Sequence, residues 1–216
     1  MARFRAVIFD MDGVLADSEP LYLQGINEVL SEYGLAITEE DHNELLGAAV
    51  KPTWDFVFEK YSPPVSFDEC VARYDRTMER LLSNPRSSLP GVPELLSELK
   101  RRSIPCALAS SSWPNWVKAL LESTGLTGCF DVMVSSTAVE NGKPAPDIFL
   151  HTAKLLGVEP PQCIVLEDSR AGVLAGKAAG MYTIQVRAAS TALPPLPEAD
   201  LVLESLGDFP LSLLDV

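Results

Sequence analysis

Basic residues are in deficit. Seventeen Lys and Arg stand against thirty Asp and Glu, for a net charge of -13. Such an excess repels nucleic acid and anionic lipid, so neither nucleic acid nor a membrane surface is expected as a partner. Long apolar runs are missing too. None approaches the roughly 18 uninterrupted residues of a membrane span, and the amino-terminal MARFRAVIFDMDG meets acidic residues after a short apolar run. Neither a span nor a signal peptide is expected. The four cysteines, Cys70, Cys106, Cys129 and Cys163, are widely spaced and include no C-x-x-C pair, which predicts a reduced cytoplasmic protein.

Several catalytic signatures are also absent. There is no G-x-G-x-x-G, so a dinucleotide fold lacks its phosphate loop, and no G-x-S-x-G. The two histidines, His42 and His151, fall in helical patterns away from any nucleophile motif. The segment from Gly172 to Lys177 superficially resembles a P-loop, but it is one residue short between its glycines and lacks the Ser or Thr after lysine. Its glycines are better read as letting a helix pack closely on a sheet.

What the chain does have is apolar material in the right places. At 216 residues and 47% hydrophobic, it can bury a core, with room for a small second domain. Short Val-, Ile- and Ala-rich runs at 4–10, 106–110, 132–135, 163–167 and 183–186 read as strands. Their near-continuous hydrophobicity predicts a parallel sheet covered on both faces. Helical patterns at 92–102, 116–124, 147–156 and 171–179 alternate with them. The expected fold is α/β, a Rossmann-like open parallel sheet with ligands beyond the carboxyl ends of its strands.

One interval breaks the βα rhythm. Tyr22, Ile26, Val29, Leu30 and Tyr33 follow a helical stripe, and Trp54, Val57, Phe58 and Tyr61 repeat it. The expected organisation is therefore an α/β core formed by residues 1–17 and 86–216, with a small all-helical cap, residues 18–85, inserted after the first strand. The Pro-rich segment ALPPLPEAD near the end predicts an exposed loop.

The chemistry gathers at strand ends. The first strand runs into Asp10-Met11-Asp12-Gly13, two carboxylates two positions apart. Alone, such a segment is more often a solvated Asx turn. A second strand, however, also ends in acids, Glu167-Asp168, and side by side the two would concentrate four carboxylates in one crevice. That arrangement calls for a hard cation, and oxygen ligands of this kind suit Mg²⁺. Ser110-Ser111-Ser112 follows another strand and precedes a helix, a setting that suits an anion as well as simple capping. Lys143 lies in a loop stiffened by Pro144 and Pro146, just after the third strand.

These four motifs, in this order and each after a predicted strand, resemble the haloacid dehalogenase superfamily phosphatases, in the branch that includes beta-phosphoglucomutase and small sugar-phosphate phosphatases. The resemblance covers nearly the whole chain and also implies a helical cap after the first strand. It implies that Asp10 is the nucleophile that forms an aspartyl-phosphate and Asp12 the acid/base. Mg²⁺ is implied at the Asp10 carboxylate, the Asp12 backbone carbonyl and the Asp168 carboxylate, with Glu167 nearby. Ser110, Ser111 and Lys143 are implied to grip the phosphoryl oxygens. The expected partner is a small phosphate ester, a sugar or polyol phosphate, acted on by a monomer.

Three rival readings compete with this one. A sugar-phosphate mutase resembles the chain in its Asp pair. Where the mutase carries a Lys-Asn pair, however, this chain has Trp113-Pro114; where it has a cap histidine, Tyr22; and where it has an arginine after Gly, Val50 or, with one shift, Lys51. A silent binding protein that kept the fold would have no need of the complete acid, serine and lysine set. Dehalogenation has no evident use for Asp12 and the acidic pair. Substrate choice is expected from Tyr22 and the segment Leu46-Gly47-Ala48-Ala49-Val50-Lys51, with Gly47 giving the loop freedom and Trp54 and Trp113 serving as core or wall.

Overall fold

The computed structural model describes residues 4–45, 48–189 and 193–215. Six parallel strands form one sheet: β1 (Ala6–Phe9), β2 (Cys106–Ala109), β3 (Val132–Val134), β4 (Cys163–Glu167), β5 (Tyr182–Val186) and β6 (Leu201–Leu203), in the order β3-β2-β1-β4-β5-β6. Every residue of β1, β2 and β4 is buried, the consequence of helices covering both faces. At the β3 edge the covering is incomplete, and Met133 stands exposed.

The helices are α1 (Glu19–Ser31), α2 (Glu39–Glu44), α3 (Val50–Tyr61), α4 (Phe67–Leu82), α5 (Val92–Arg101), α6 (Pro114–Ser123), α7 (Asp147–Leu156) and α8 (Arg170–Ala178). The first four occupy the interval where the sequence predicts the insertion, and among the described residues 18–85 contain no strand. Apolar faces drive their packing: Ile26, Val29 and Leu30 of α1 and Tyr74, Met78 and Leu82 of α4 join one core. Gly25 brings α1 and α4 together, because a Cβ there would press on the Met78 sulfur.

One element agrees with the sequence-based expectation and one differs from it. Helix α4 falls in the interval expected to be helical, and its buried positions Cys70, Tyr74, Met78, Leu81 and Leu82 form a helical stripe with seven charged residues at the positions between. Strand β6 is only three residues long and follows the Pro-rich segment, which is not simply an exposed loop. Leu196 is buried, its N–H donates to Gln185 Oε1 at 2.8 Å, and Gln185 Nε2 donates to the Pro194 carbonyl at 3.2 Å. The buried Gln185 amide supplies ladder-like bonds where proline cannot.

Register brings the strand ends level. Phe9 pairs with Leu166 on one side and Leu108 on the other, so Asp10 stands beside Glu167 and Ala109. β1 therefore lies in the middle of the sheet, where chain connections run off to either side. That is the switch point at which open α/β sheets hold ligands.

Candidate active site

Asp10 is anchored by its own backbone, its N–H donating to the Leu166 carbonyl at 2.8 Å. The chain then turns at once, with Gly13 at φ 69° and its N–H bonded to Ala16 O at 3.0 Å. Glycine is required there twice over. The left-handed backbone disfavours a side chain, and a Cβ would overlap the Asp168 carboxylate. The turn brings Asp12 back beside Asp10.

Carboxylate oxygens of Asp10, Glu167 and Asp168 all lie within 4.8 Å of one another, and all three residues are buried. Lys143 inserts among them. Its Nζ bonds Asp10 Oδ1, Glu167 Oε1 at 2.6 Å and the Ala109 carbonyl at 3.2 Å, and it lies over the Phe149 ring at 5.0 Å. Burial pushes the Asp10 carboxyl up, to about 8, against the pull of Lys143, while Glu167 and Asp12 push the same way as burial. Burial would depress Lys143, but the two carboxylates outweigh it and hold the ammonium charged. The second Glu167 oxygen accepts from the Ser169 N–H at 3.0 Å and Oγ at 2.9 Å, and Ser169 also caps α8 through the Gly172 N–H at 3.0 Å.

Asp12 faces a different set of partners. Oδ1 accepts from Ser18 Oγ and from the Tyr22 hydroxyl at 2.9 Å, and Oδ2 from Ser112 Oγ at 3.1 Å. Burial raises its carboxyl, and the three hydroxyls draw it part of the way back. Ser18 stands at the N-cap of α1 but spends its hydroxyl on Asp12 rather than on the helix. The backbone carbonyl of Asp12, not its engaged side chain, is the group that the family resemblance implies for a metal. In the serine turn, the buried Ser110 Oγ accepts the Ser112 N–H at 3.0 Å, closing the turn, while Ser111 and Ser112 line the cleft. Ser112 belongs to the serine run singled out from sequence, but its bond to Asp12 was not expected.

The sequence pattern of the haloacid dehalogenase-like hydrolases matches residues 7–186. The chain belongs to this family. It is 37% identical over 179 residues to the phosphorylated carbohydrates phosphatase of Thermotoga maritima, covering 83% of each chain. It is 31% identical over 218 residues to the beta-phosphoglucomutase of Bacillus subtilis, covering 97% of this chain and 93% of that protein. Among solved structures, CbbY from Rhodobacter sphaeroides in complex with phosphate superposes with a TM-score of 0.90 at 27% identity, over 99% of this chain and all of that one. Phosphoric monoester hydrolysis is the reaction class that such phosphatase relatives support.

The walls of the cleft in this haloacid dehalogenase-like hydrolase come from the inserted helices and α6. Tyr22, expected there from sequence, is in place, and Ala48 and Val50 line it too. Lys51 does not: it is exposed and pairs with Asp55 at 2.7 Å. Leu46 and Gly47 lie outside the described residues. Trp54 is buried in the core, and Trp113 stacks on Trp116 at 5.1 Å. Sequence reasoning missed Glu19, His42, Tyr74 and Trp116, all of which line the cleft. Glu19 reads as an ordinary first-turn helix acid, yet burial and the charges of Asp12 and Asp10 push its carboxyl up, to about 8. Burial lowers the pKa of His42 and so keeps it neutral. Lys143 is thus the one permanent cation among the described residues lining the cleft.

Proposed function

We propose that this chain is a Mg²⁺-dependent phosphatase that hydrolyses small phosphomonoesters, sugar or polyol phosphates, through an aspartyl-phosphate on Asp10. The observation that carries the reading is the meeting of Asp10 with Lys143, Glu167 and Asp168 at one strand-end crevice, with a hydroxyl-bound Asp12 beside it. The donor set is all oxygen, buried and carboxylate-rich, which fits Mg²⁺. The Asp10 and Asp168 carboxylates and the Asp12 backbone carbonyl would hold the ion. Glu167, both of whose oxygens are already engaged, would act through water. Bound Mg²⁺ supplies charge neutralisation between the carboxylates and a phosphate dianion.

The protein's own residues divide the remaining work. An Asp10 oxygen attacks phosphorus as the ester oxygen leaves, and Asp12 gives that oxygen its proton. Asp12 then takes a proton from water as the water attacks the aspartyl-phosphate, releasing phosphate and restoring Asp10. Ser110, the Ser111 N–H and Lys143 steady the phosphoryl oxygens through both displacements. Residues 18–85 act as a cap over a core of 1–17 and 86–216, and the cap excludes bulk water.

The walls favour a neutral, hydroxyl-bearing leaving group. Glu19 offers hydrogen bonds, the hydroxyl oxygens of Tyr22 and Thr53, whose protons go to Asp12 and the Ala49 carbonyl, can accept from a substrate hydroxyl, and the cap side of the cleft carries no fixed cation among the described residues to receive a second phosphate. Hydrolysis is favoured over mutase chemistry on the same ground, since a bisphosphorylated intermediate needs a second anion site. The test is a phosphate-release screen with Mg²⁺ over hexose and hexitol phosphates, nucleotides, phosphoglycolate and beta-glucose 1-phosphate, each repeated in EDTA. Release from the sugar and polyol esters, silenced by EDTA, is expected. Full activity in metal-stripped buffer, or faster formation of glucose 6-phosphate than of phosphate, would overturn the reading.

A further inference from the structure

Asp75 lies on α4, outside the carboxylate cluster, yet its Oδ1 accepts two hydrogen bonds from the neighbouring α6: Asn115 Nδ2 at 2.9 Å and Trp116 Nε1 at 2.8 Å. Both donors sit in the first turn of α6, the helix that follows the serine turn. Trp116 is buried, so without Asp75 its indole N–H would be left in an apolar setting with no acceptor. A carboxylate also suits that position because the exposed N–H groups of a helix start favour negative charge.

The tryptophan that Asp75 holds is the pivot of the aromatic wall. Its ring meets Tyr22 at 6.1 Å and Tyr74 edge-on at 5.4 Å, and all three line the cleft. Tyr22 in turn donates to Asp12, and its hydroxyl lies 2.9 Å from that of Ser112. A continuous path of contacts therefore runs from α4, through one carboxylate oxygen and an indole, to the acid/base residue and the serine turn.

We propose that Asp75 is a positioning residue: by fastening α4 to the first turn of α6 it fixes the Trp116 wall against which the leaving group is held. The proposal rests on the phosphatase reading, and it separates two functions. The phosphoryl group is gripped by the strand-end residues whatever Asp75 does. The leaving group depends on Asp75, and the dependence grows with its size.

The experiment compares Asp75→Ala, Asp75→Asn, Trp116→Phe and the double variant D75A/W116F on a hexitol phosphate and on acetyl phosphate, whose leaving group is much smaller. Asp75→Ala should raise KM for the hexitol ester about tenfold or more, the loss expected of hydrogen bonds to a charged acceptor, while activity on acetyl phosphate changes little. Asp75→Asn keeps a carbonyl acceptor and should restore most of the loss. The double variant should be no worse than the worse single one, because both changes break the same bond. Wild-type KM in Asp75→Ala, equal losses on both substrates, or additive losses would overturn the proposal. Should Asp75→Ala fail to fold, Trp116→Phe with wild-type kinetics on the hexitol ester overturns it equally. Tryptophan emission gives a readout independent of turnover: Asp75→Asn should shift it, and an unchanged spectrum counts against the bond. A wild-type chain inert toward every phosphate ester would instead overturn the functional reading.

Discussion

Replacing Lys143 by methionine keeps the volume of the side chain and removes the one positive charge of the cluster. Lys143 is 2% exposed and its partners Asp10 and Glu167 are 9% and 1% exposed, so water cannot replace the lost partner. Removing one member of a buried ion pair typically costs about 3–5 kcal/mol, because the remaining charge stays desolvated. For a chain of this size each kcal/mol lowers Tm by roughly 2–4 °C, so a fall on the order of 6–20 °C is expected at pH 8 in EDTA. Two further signs follow from the same physics. The deficit should shrink as the pH falls from 8, because the Asp10 carboxyl, already raised to about 8 against the pull of Lys143, takes up a proton once the lysine is gone, and it should shrink when Mg²⁺ is added, because a divalent ion supplies charge to the same oxygens. Phosphate release should fall by a factor on the order of 10²–10³, as for loss of a group that stabilises transition-state charge. Thermal unfolding followed by circular dichroism, with and without Mg²⁺, tests the chain of reasoning. A Lys143→Met protein with wild-type Tm in EDTA at pH 8 would mean that the carboxylates are not held by this lysine.

Asp10→Asn should abolish phosphate release while leaving the circular dichroism spectrum unchanged, since the amide keeps the shape but not the nucleophile; retained activity would end the aspartyl-phosphate mechanism. Gly13→Ala should lose about 1–2 kcal/mol from its left-handed backbone alone, and activity should fall further because the new methyl displaces Asp168, as a higher Mg²⁺ requirement in the release assay would reveal. For Glu19 the folded pKa of about 8 lies above the usual carboxyl value, so the folded state binds the extra proton and loses stability as pH rises through that window. Glu19→Gln should therefore raise Tm relative to wild type at pH 8.5 and leave it nearly unchanged at pH 4.5. The reverse order would show that the carboxyl is not desolvated.

The parts of this molecule that sequence exposes best are those where one residue type has one physical reason to be there. A fully buried parallel strand reads as an unbroken apolar run, and acids directly after it have few innocent explanations, so β1 with Asp10 and β4 with Glu167 and Asp168 were legible. Lys143 was legible by its place in a Pro-bracketed loop, although its insertion between two carboxylates was not. Residues whose role depends on the approach of a distant element left no local trace. Glu19 resembles any first-turn acid, Trp116 any helix-core aromatic, and Ser112 acts on Asp12 a hundred positions away. Lys51 misled in the opposite direction, because a charge near the cleft in sequence can still turn to solvent and a neighbouring acid. Strand β6 was hidden because three residues are too few to show a period.

Gly172, on the first turns of α8, turns an ordinary rule around. Alanine is normally the better helix former there, by about 1 kcal/mol over glycine. Here the space a methyl would take is filled by the Glu167 carboxylate, which holds Lys143 with one oxygen and Ser169 with the other. A substitution that any propensity scale would score as an improvement thus evicts an acid from the centre of the site. Any thermostabilising redesign of α8 that fills its glycines for helicity would be selecting, unawares, for an inactive protein.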